Sequence, residues 1–267
     1  GMTWESLSSL GAMDKAAWEA IIPQMGYMAL LRNLRNFDEA GVSDKVADKV
    51  AERLADPEEV ARSRQLPFRF YSAYQASKGS LRWSNALRKA LDLSLANVPV
   101  LGGSTLVLID TSGSMSGMSY SSRGTVRPVE LAAIFGLALS ARAENVDTYV
   151  FASYSEKFKF QGQSVLNGVD RLMSNVGNVG HGTNVSDALD NYDDHDRVII
   201  LSDMQTTSYA RRRSIDVPVY GFNLGGYSTT ITDAGSNLIE MGGVTDNTFS
   251  MIKQIEAARR SSWPWDD

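Results

Sequence analysis

Two short apolar runs, each stopping on a carboxylate, constrain this chain more than any other feature. Thr105-Leu106-Val107-Leu108-Ile109 runs into Asp110, and Val198-Ile199-Ile200-Leu201-Ser202 runs into Asp203. Apolar β-rich runs without polar alternation indicate strands buried on both faces, and such strands belong to parallel sheets covered by helices. The flanking segments supply that pattern. The expected elements are a strand at 104–109, a helix from Pro128 to Glu144 with Leu131, Ile134, Phe135, Ala138 and Ala141 facing in, and a strand from Val146 to Phe151. A short strand at Phe158 to Phe160, a helix from Val165 to Met173 and a short helix from Asn184 to Leu189 follow. Strands at Arg197–Leu201 and Val217–Phe222 and a helix from Asp246 to about Arg260 complete the series. Strands alternating with helices predict a doubly wound α/β domain with a parallel sheet over residues 99–267.

Residues 1–98 read differently, as a small all-α, HEAT-like array. Asp14 is placed to cap a helix carrying Ala17, Trp18, Ile21 and Ile22, which Pro23 ends. Tyr27, Leu30, Leu31 and Leu34 recur at helical spacing up to Gly41. Ser43 is placed to cap a helix holding Val46, Val50 and Leu54. Asp56-Pro57 and Leu66-Pro67 each open another, and a last helix runs from Ser84 to Ala96. Val98-Pro99-Val100-Leu101-Gly102-Gly103 marks the boundary.

The chemistry concentrates where the strands end. Asp110-Thr111-Ser112-Gly113-Ser114 puts one carboxylate and two hydroxyls on one loop, and ligands of open α/β sheets sit outside the carboxyl ends of strands. Hard oxygen donors with few carboxylates suit Mg²⁺, with Mn²⁺ as the close substitute. His181-Gly182-Thr183 offers a third hydroxyl, and Asp203 a second carboxylate. The simplest competing reading is that the serines shape a turn and Asp110 caps a helix. An Asp ending a buried strand also suggests a Mg²⁺-dependent phosphoryl-transfer nucleophile. That chemistry ordinarily wants a second Asp where Ser112 stands.

Taken in this order, Asp-x-Ser-x-Ser, Gly-Thr and strand-Ser-Asp resemble the metal-ion-dependent adhesion site of von Willebrand factor A domains. The resemblance implies a Mg²⁺ held by Asp110, Ser112, Ser114, Thr183 and Asp203, and an acidic protein or peptide ligand completing its coordination. That family usually follows the last Asp with Gly, where this chain has Met204.

A second resemblance covers nearly the whole chain. Met28-Ala29-Leu30-Leu31-Arg32-Asn33-Leu34-Arg35-Asn36-Phe37, then Arg62-Ser63-Arg64-Gln65-Leu66-Pro67-Phe68-Arg69-Phe70, then Leu81-Arg82-Trp83 are similar to the C-terminal part of the TROVE module of Ro autoantigen-like proteins. Asn237-Leu238-Ile239-Glu240-Met241-Gly242-Gly243 through Phe249 resembles the close of that family's A-domain. The likeness implies a non-catalytic, ribonucleoprotein-type protein, with small structured or misfolded RNA as its partner. It also implies a fragment or reduced form in which the family's helical ring does not close. Arg32, Arg35, Arg62, Arg64 and Arg69 are the candidate phosphate contacts, with Tyr71 or Trp83 near a base. The competing reading pairs these arginines with Asp38, Glu39, Glu58 and Glu59, leaving a metal-dependent protein-interaction adaptor without RNA.

Composition narrows the field. The net charge is −5, with residues 1–97 near neutral at +1 and the remainder at −6. That is no footprint of a whole-chain nucleic-acid binder, and DNA is not an expected partner; the acidic second half fits cation binding and argues against RNA on that face. The absence of cysteine excludes disulfides, thiolate catalysis and Cys-type zinc sites. With neither a membrane-length apolar run nor a signal-peptide pattern, the expected setting is cytoplasmic. His195, in Asp193-Asp194-His195-Asp196, reads as part of a solvated turn. Arg211-Arg212-Arg213 reads as a solvated basic run, and Trp263-Pro264-Trp265 as an aromatic tail.

Overall fold

The computed structural model describes residues 13–77, 80–117, 126–160, 164–206, 215–226, 237–244 and 246–260. Arg211-Arg212-Arg213 and Trp263-Pro264-Trp265 lie outside them. The chain divides into two units, Gly1–Asn97 and Val98–Asp267.

In the first unit the start signals at Asp14, Asp56 and Pro67 act as the sequence leads one to expect, whereas the expected Ser43 cap does not form. Asp14 Oδ1 accepts the Ala17 N–H at 2.9 Å and opens α1 (Lys15–Ile21). α2 (Tyr27–Glu39) ends before Gly41, which adopts φ +67°. α3 (Asp44–Leu54) follows Ser43, whose hydroxyl makes no cap bond; its N–H instead reaches Glu19 Oε1 at 2.8 Å. Asp56 Oδ1 caps α4 (Pro57–Ser63) through the Glu59 N–H, and Pro67 begins α5 (Pro67–Ala76). The last helix, α6 (Leu81–Ser94), starts three residues earlier than Ser84 and buries Trp83 completely. Phe37 lies edge-on to both Trp18 and Trp83, at 5.1 and 6.4 Å between centroids. The Trp83 indole N–H donates to Asp38 Oδ2 at 2.8 Å.

The second unit is a six-stranded sheet in the order β3-β2-β1-β4-β5-β6. The strands are β1 (Leu101–Asp110), β2 (Ala143–Phe151), β3 (Ser155–Lys157), β4 (Arg197–Ser202), β5 (Val219–Asn223) and β6 (Leu238–Gly242). All neighbours run parallel except β2 and β3. Its helices are α7 (Gly113–Gly117), α8 (Pro128–Arg142), α9 (Val165–Ser174), α10 (Val185–Leu189) and α11 (Asp246–Arg260). On one face α8 packs on Ile109 and Leu201 through Gly136, and Phe249 of α11 stacks between Phe135 and Phe222. On the other face Val185, Ala188 and Leu189 of α10 join Leu106, Leu108, Val198, Ile200 and Met204 in one buried cluster. The sheet is therefore wound on both sides. The chain reverses its progress across the sheet between β1 and β4, so their carboxyl ends form the crevice where such folds bind ligands.

Several expectations need correction. The third strand lies at Ser155–Lys157, not Phe158–Phe160, because backbone pairing to Tyr149, Val150 and Phe151 places it there whatever its polarity. α8 stops at Arg142, since Ala143 turns extended and pairs with Leu101. α8 is buried nearly all round because α9 packs on it, yet Ala141, expected to face in, is exposed. A further strand, β6, lies outside the expected set and forms the edge beside β5. His195 is buried at 5% exposure, with Nδ1 accepting the Asp193 N–H at 3.1 Å and Nε2 3.3 Å from Asp147 Oδ2. It closes the start of β4 and is not a solvated turn.

Candidate functional site

Asp110 and Asp203 stand at the carboxyl ends of adjacent strands β1 and β4, at the crossover crevice. Both are buried, at 0% and 2% exposure, with Ser112 at 1% and Thr183 at 7%. Asp110 is held on both oxygens: Oδ1 accepts the Ser112 N–H at 2.8 Å, and Oδ2 accepts the Ser202 hydroxyl at 2.5 Å. Ser202 Oγ also accepts the Met204 N–H at 3.1 Å, so one serine fastens the first acidic loop to the second. The Ser112 and Ser114 hydroxyl oxygens lie 3.3 Å apart. Neighbouring oxygens around a small octahedral cation sit about 3 Å apart.

Thr183 is brought to the same place by bonds along its loop. The Gly113 N–H donates to His181 O at 3.0 Å, tying this loop to the two serines. The Thr206 hydroxyl donates to Thr183 O at 3.1 Å, tying it to the loop after Asp203. The three loops that carry the five residues singled out as metal ligands are thus bonded to one another.

The electrostatics of this cluster are unfavourable as they stand. Burial pushes the Asp110 carboxyl up to about 7, and the Asp203 carboxylate adds to the rise; the bonds from Ser112 and Ser202 oppose it. Asp203 Oδ1 accepts the Gln205 N–H at 3.2 Å, but Oδ2 is buried and reaches no hydrogen-bond partner among the described residues. A buried carboxylate oxygen without a partner is costly. A divalent cation would relieve both the missing partner and the repulsion, so the donor set fits one.

Met204 takes φ +62°, a left-handed conformation that suits the glycine common at this position in adhesion sites. The methionine side chain is fully buried, and Gly221 on β5 leaves room for it: a Cβ there would lie 2.5 Å from Met204 Cε. This left-handed turn accommodates a methionine because its side chain packs over Gly221.

The candidate RNA contacts are arranged more loosely. Arg32 and Arg35 lie on the exposed side of α2, and Arg62, Arg64 and Arg69 are exposed around the α4–α5 junction. Arg35 pairs with Glu39 at 2.7 Å across an exposed turn, and the Arg69 guanidinium lies over the Phe68 ring at 5.6 Å. Two of the other acids expected as partners serve different arginines. Glu59 holds Arg53 at 2.8 Å, and Asp38 takes Arg82 at 3.4 Å and the Trp83 indole. Tyr71 and Trp83, offered as base-stacking groups, are buried at 1% and 0% exposure. They belong to the helical core and do not reach a nucleic acid.

Comparison with known proteins places these features. Residues 1–90 match the TROVE domain. The chain is 31% identical over 136 residues to RNA-binding protein RO60 of Caenorhabditis elegans, covering 46% of this chain and 21% of that protein. It is 38% identical over 76 residues to telomerase protein component 1 of Mus musculus, covering 28% of this chain and 3% of that one. In structure it resembles the Ro (Rsr) protein of Deinococcus radiodurans, with a TM-score of 0.71 and 19% identity over 89% of this chain and 54% of that one. The chain therefore spans about a fifth of the worm protein and about half of the bacterial one. The likeness to Ro proteins drawn from the sequence is borne out, as is the fold: a helical region followed by a mostly parallel α/β sheet.

Proposed function

We propose that this chain, which carries a TROVE match and the fold of a Ro protein, is an RNA-binding protein whose sheet unit holds Mg²⁺ and presents it to an acidic ligand. In this reading Ser112, Ser114 and Thr183 ligate the ion through hydroxyls, while Asp110 and Asp203 hold its waters or ligate directly. A cation with so few carboxylates keeps residual positive charge and attracts an acidic side chain of a partner. The observation that carries the reading is the partnerless buried Asp203 Oδ2 beside a carboxyl group whose burial raises its pKa. The same geometry weighs against phosphoryl transfer through Asp110. Both its oxygens are engaged and it is wholly buried, which ill suits in-line attack.

The RNA part rests on the TROVE match and on the exposure of Arg32, Arg62, Arg64 and Arg69. Pairing of Arg35 with Glu39 favours the alternative of an adaptor without RNA, at that one residue. Filter retention of a small structured RNA separates the two. The expected result is weak, salt-sensitive retention, with a log–log salt slope that loses about one unit per arginine when Arg62, Arg64 and Arg69 become alanine. Retention that is absent at low salt would leave the adaptor. For the metal, calorimetric titration of Mg²⁺ and Mn²⁺ into the stripped chain should show one site that Asp110→Ala and Asp203→Asn abolish. Binding unchanged in both variants would refute the assignment.

A further inference from the structure

We infer that Ser153 is a positioning residue for the metal site, holding in place the loop that carries Thr183; this rests on the metal reading above. Ser153 follows β2 and is none of the five proposed ligands. Its Oγ accepts the Gly182 N–H at 3.0 Å, one residue before Thr183. Its C=O lies 3.4 Å from Asn184 Nδ2, one residue after Thr183. Its N–H donates to Val179 O at 2.9 Å, and the preceding Ala152 O accepts the Asn184 N–H at 2.7 Å. Both flanks of Thr183 are thus tied to residues 152 and 153.

The fit is close from the other side too. Gly180 sits at φ +85°, and a Cβ there would lie 2.4 Å from Ser153 Oγ and 2.7 Å from its Cβ. A side chain at 180 would be strained by the backbone and would strike the serine. Ser153 is exposed, so its contribution is not core packing. Its hydroxyl is the only side-chain atom through which this turn is bonded to Gly182 among the described residues. Without it the Gly182 N–H turns to water and Thr183 loses part of its fixed position. Ligand hydroxyls bind a small octahedral ion well only when held in place.

The test is a calorimetric Mn²⁺ titration of the full metal-stripped chain, with a metal-free melting curve for each variant. Ser153→Ala should weaken Mn²⁺ binding about fivefold, the size expected of one neutral hydrogen bond, with the metal-free melting temperature unchanged. Ser153→Thr, which keeps the acceptor oxygen, should lie closer to the parent than Ser153→Ala does. Gly180→Ala should weaken binding at least as much as Ser153→Ala. If the parent binds Mn²⁺ and Ser153→Ala stays within twofold of it, this inference fails while the metal reading stands. A lower melting temperature with unchanged affinity also overturns it, since that is a merely structural role. A parent that binds no Mn²⁺ overturns the metal reading and this inference together.

Discussion

Asp110 shows how a residue proposed to hold a cation can work against the fold that carries it. Its carboxyl is raised from 3.8 to about 7 by burial. A group raised in the folded state stabilises most below its unfolded value and loses that contribution as pH climbs through the folded one. The metal-free sheet unit should therefore lose stability between about pH 4 and pH 7 on account of Asp110, and Mg²⁺ should restore more at pH 8 than at pH 5.5. Asp110→Asn should flatten that slope and raise the metal-free melting temperature at pH 8 while abolishing the response to Mg²⁺. Melting curves across pH, with chelator and with Mg²⁺, check both. Met204 is a second trade at the same scale. Met204→Gly relieves a left-handed residue, worth about 1 kcal/mol, but empties a fully buried position, costing about 2–5 kcal/mol. Urea unfolding should show a net loss; a gain would mean that the backbone strain outweighs the packing.

At the scale of elements, legibility followed burial. β1 and β4 stood out because uninterrupted apolar runs reflect strands covered on both faces. β6 did not, because Leu238-Ile239-Glu240-Met241-Gly242 is a short, half-exposed edge strand whose parallel pairing to β5 leaves little apolar pattern. β3 is hidden for the same reason: Ser155-Glu156-Lys157 pairs through its backbone and carries no hydrophobic signal, while the apolar residues lie just after it at Phe158 and Phe160. The five proposed metal ligands could be picked out because motif spacing is local. Ser153 and Ser202 could not, because a serine near a strand end says nothing until the fold brings Gly182 or Asp110 against it. Arg197 was also opaque. It is buried at 1% exposure and ties β4 to α11 by bonds to Glu256 at 2.5 and 3.1 Å, with a third to Thr105 Oγ1 at 2.8 Å. Glu256→Ala should cost about 3–5 kcal/mol by leaving that guanidinium uncompensated. Arg197→Met combined with Glu256→Leu should recover most of the loss in denaturant unfolding. A single variant within 1 kcal/mol of the parent would mean that water replaces the carboxylate.

At the scale of the whole molecule, two units with separate cores carry two separate proposals. The helical unit matches the TROVE domain and exposes arginines, and the sheet unit gathers oxygen donors at its crossover crevice. Among the described residues no helix is long and apolar enough to cross a membrane. A ligand that binds one folded unit stabilises that unit alone. Calorimetry should accordingly show Mg²⁺ moving one transition and leaving the other. A Mg²⁺-induced shift of the whole profile would mean that the two units unfold as one.

A cation between Asp110 and Asp203 would be seen by anomalous diffraction from crystals soaked in Mn²⁺. One strong peak is expected about 2.0–2.4 Å from the Ser112 and Ser114 hydroxyls, the range for a small oxygen-bound divalent ion, with Asp110 and Asp203 reaching it directly or through water. A crevice without a peak, or a peak bound only by other residues, would contradict it.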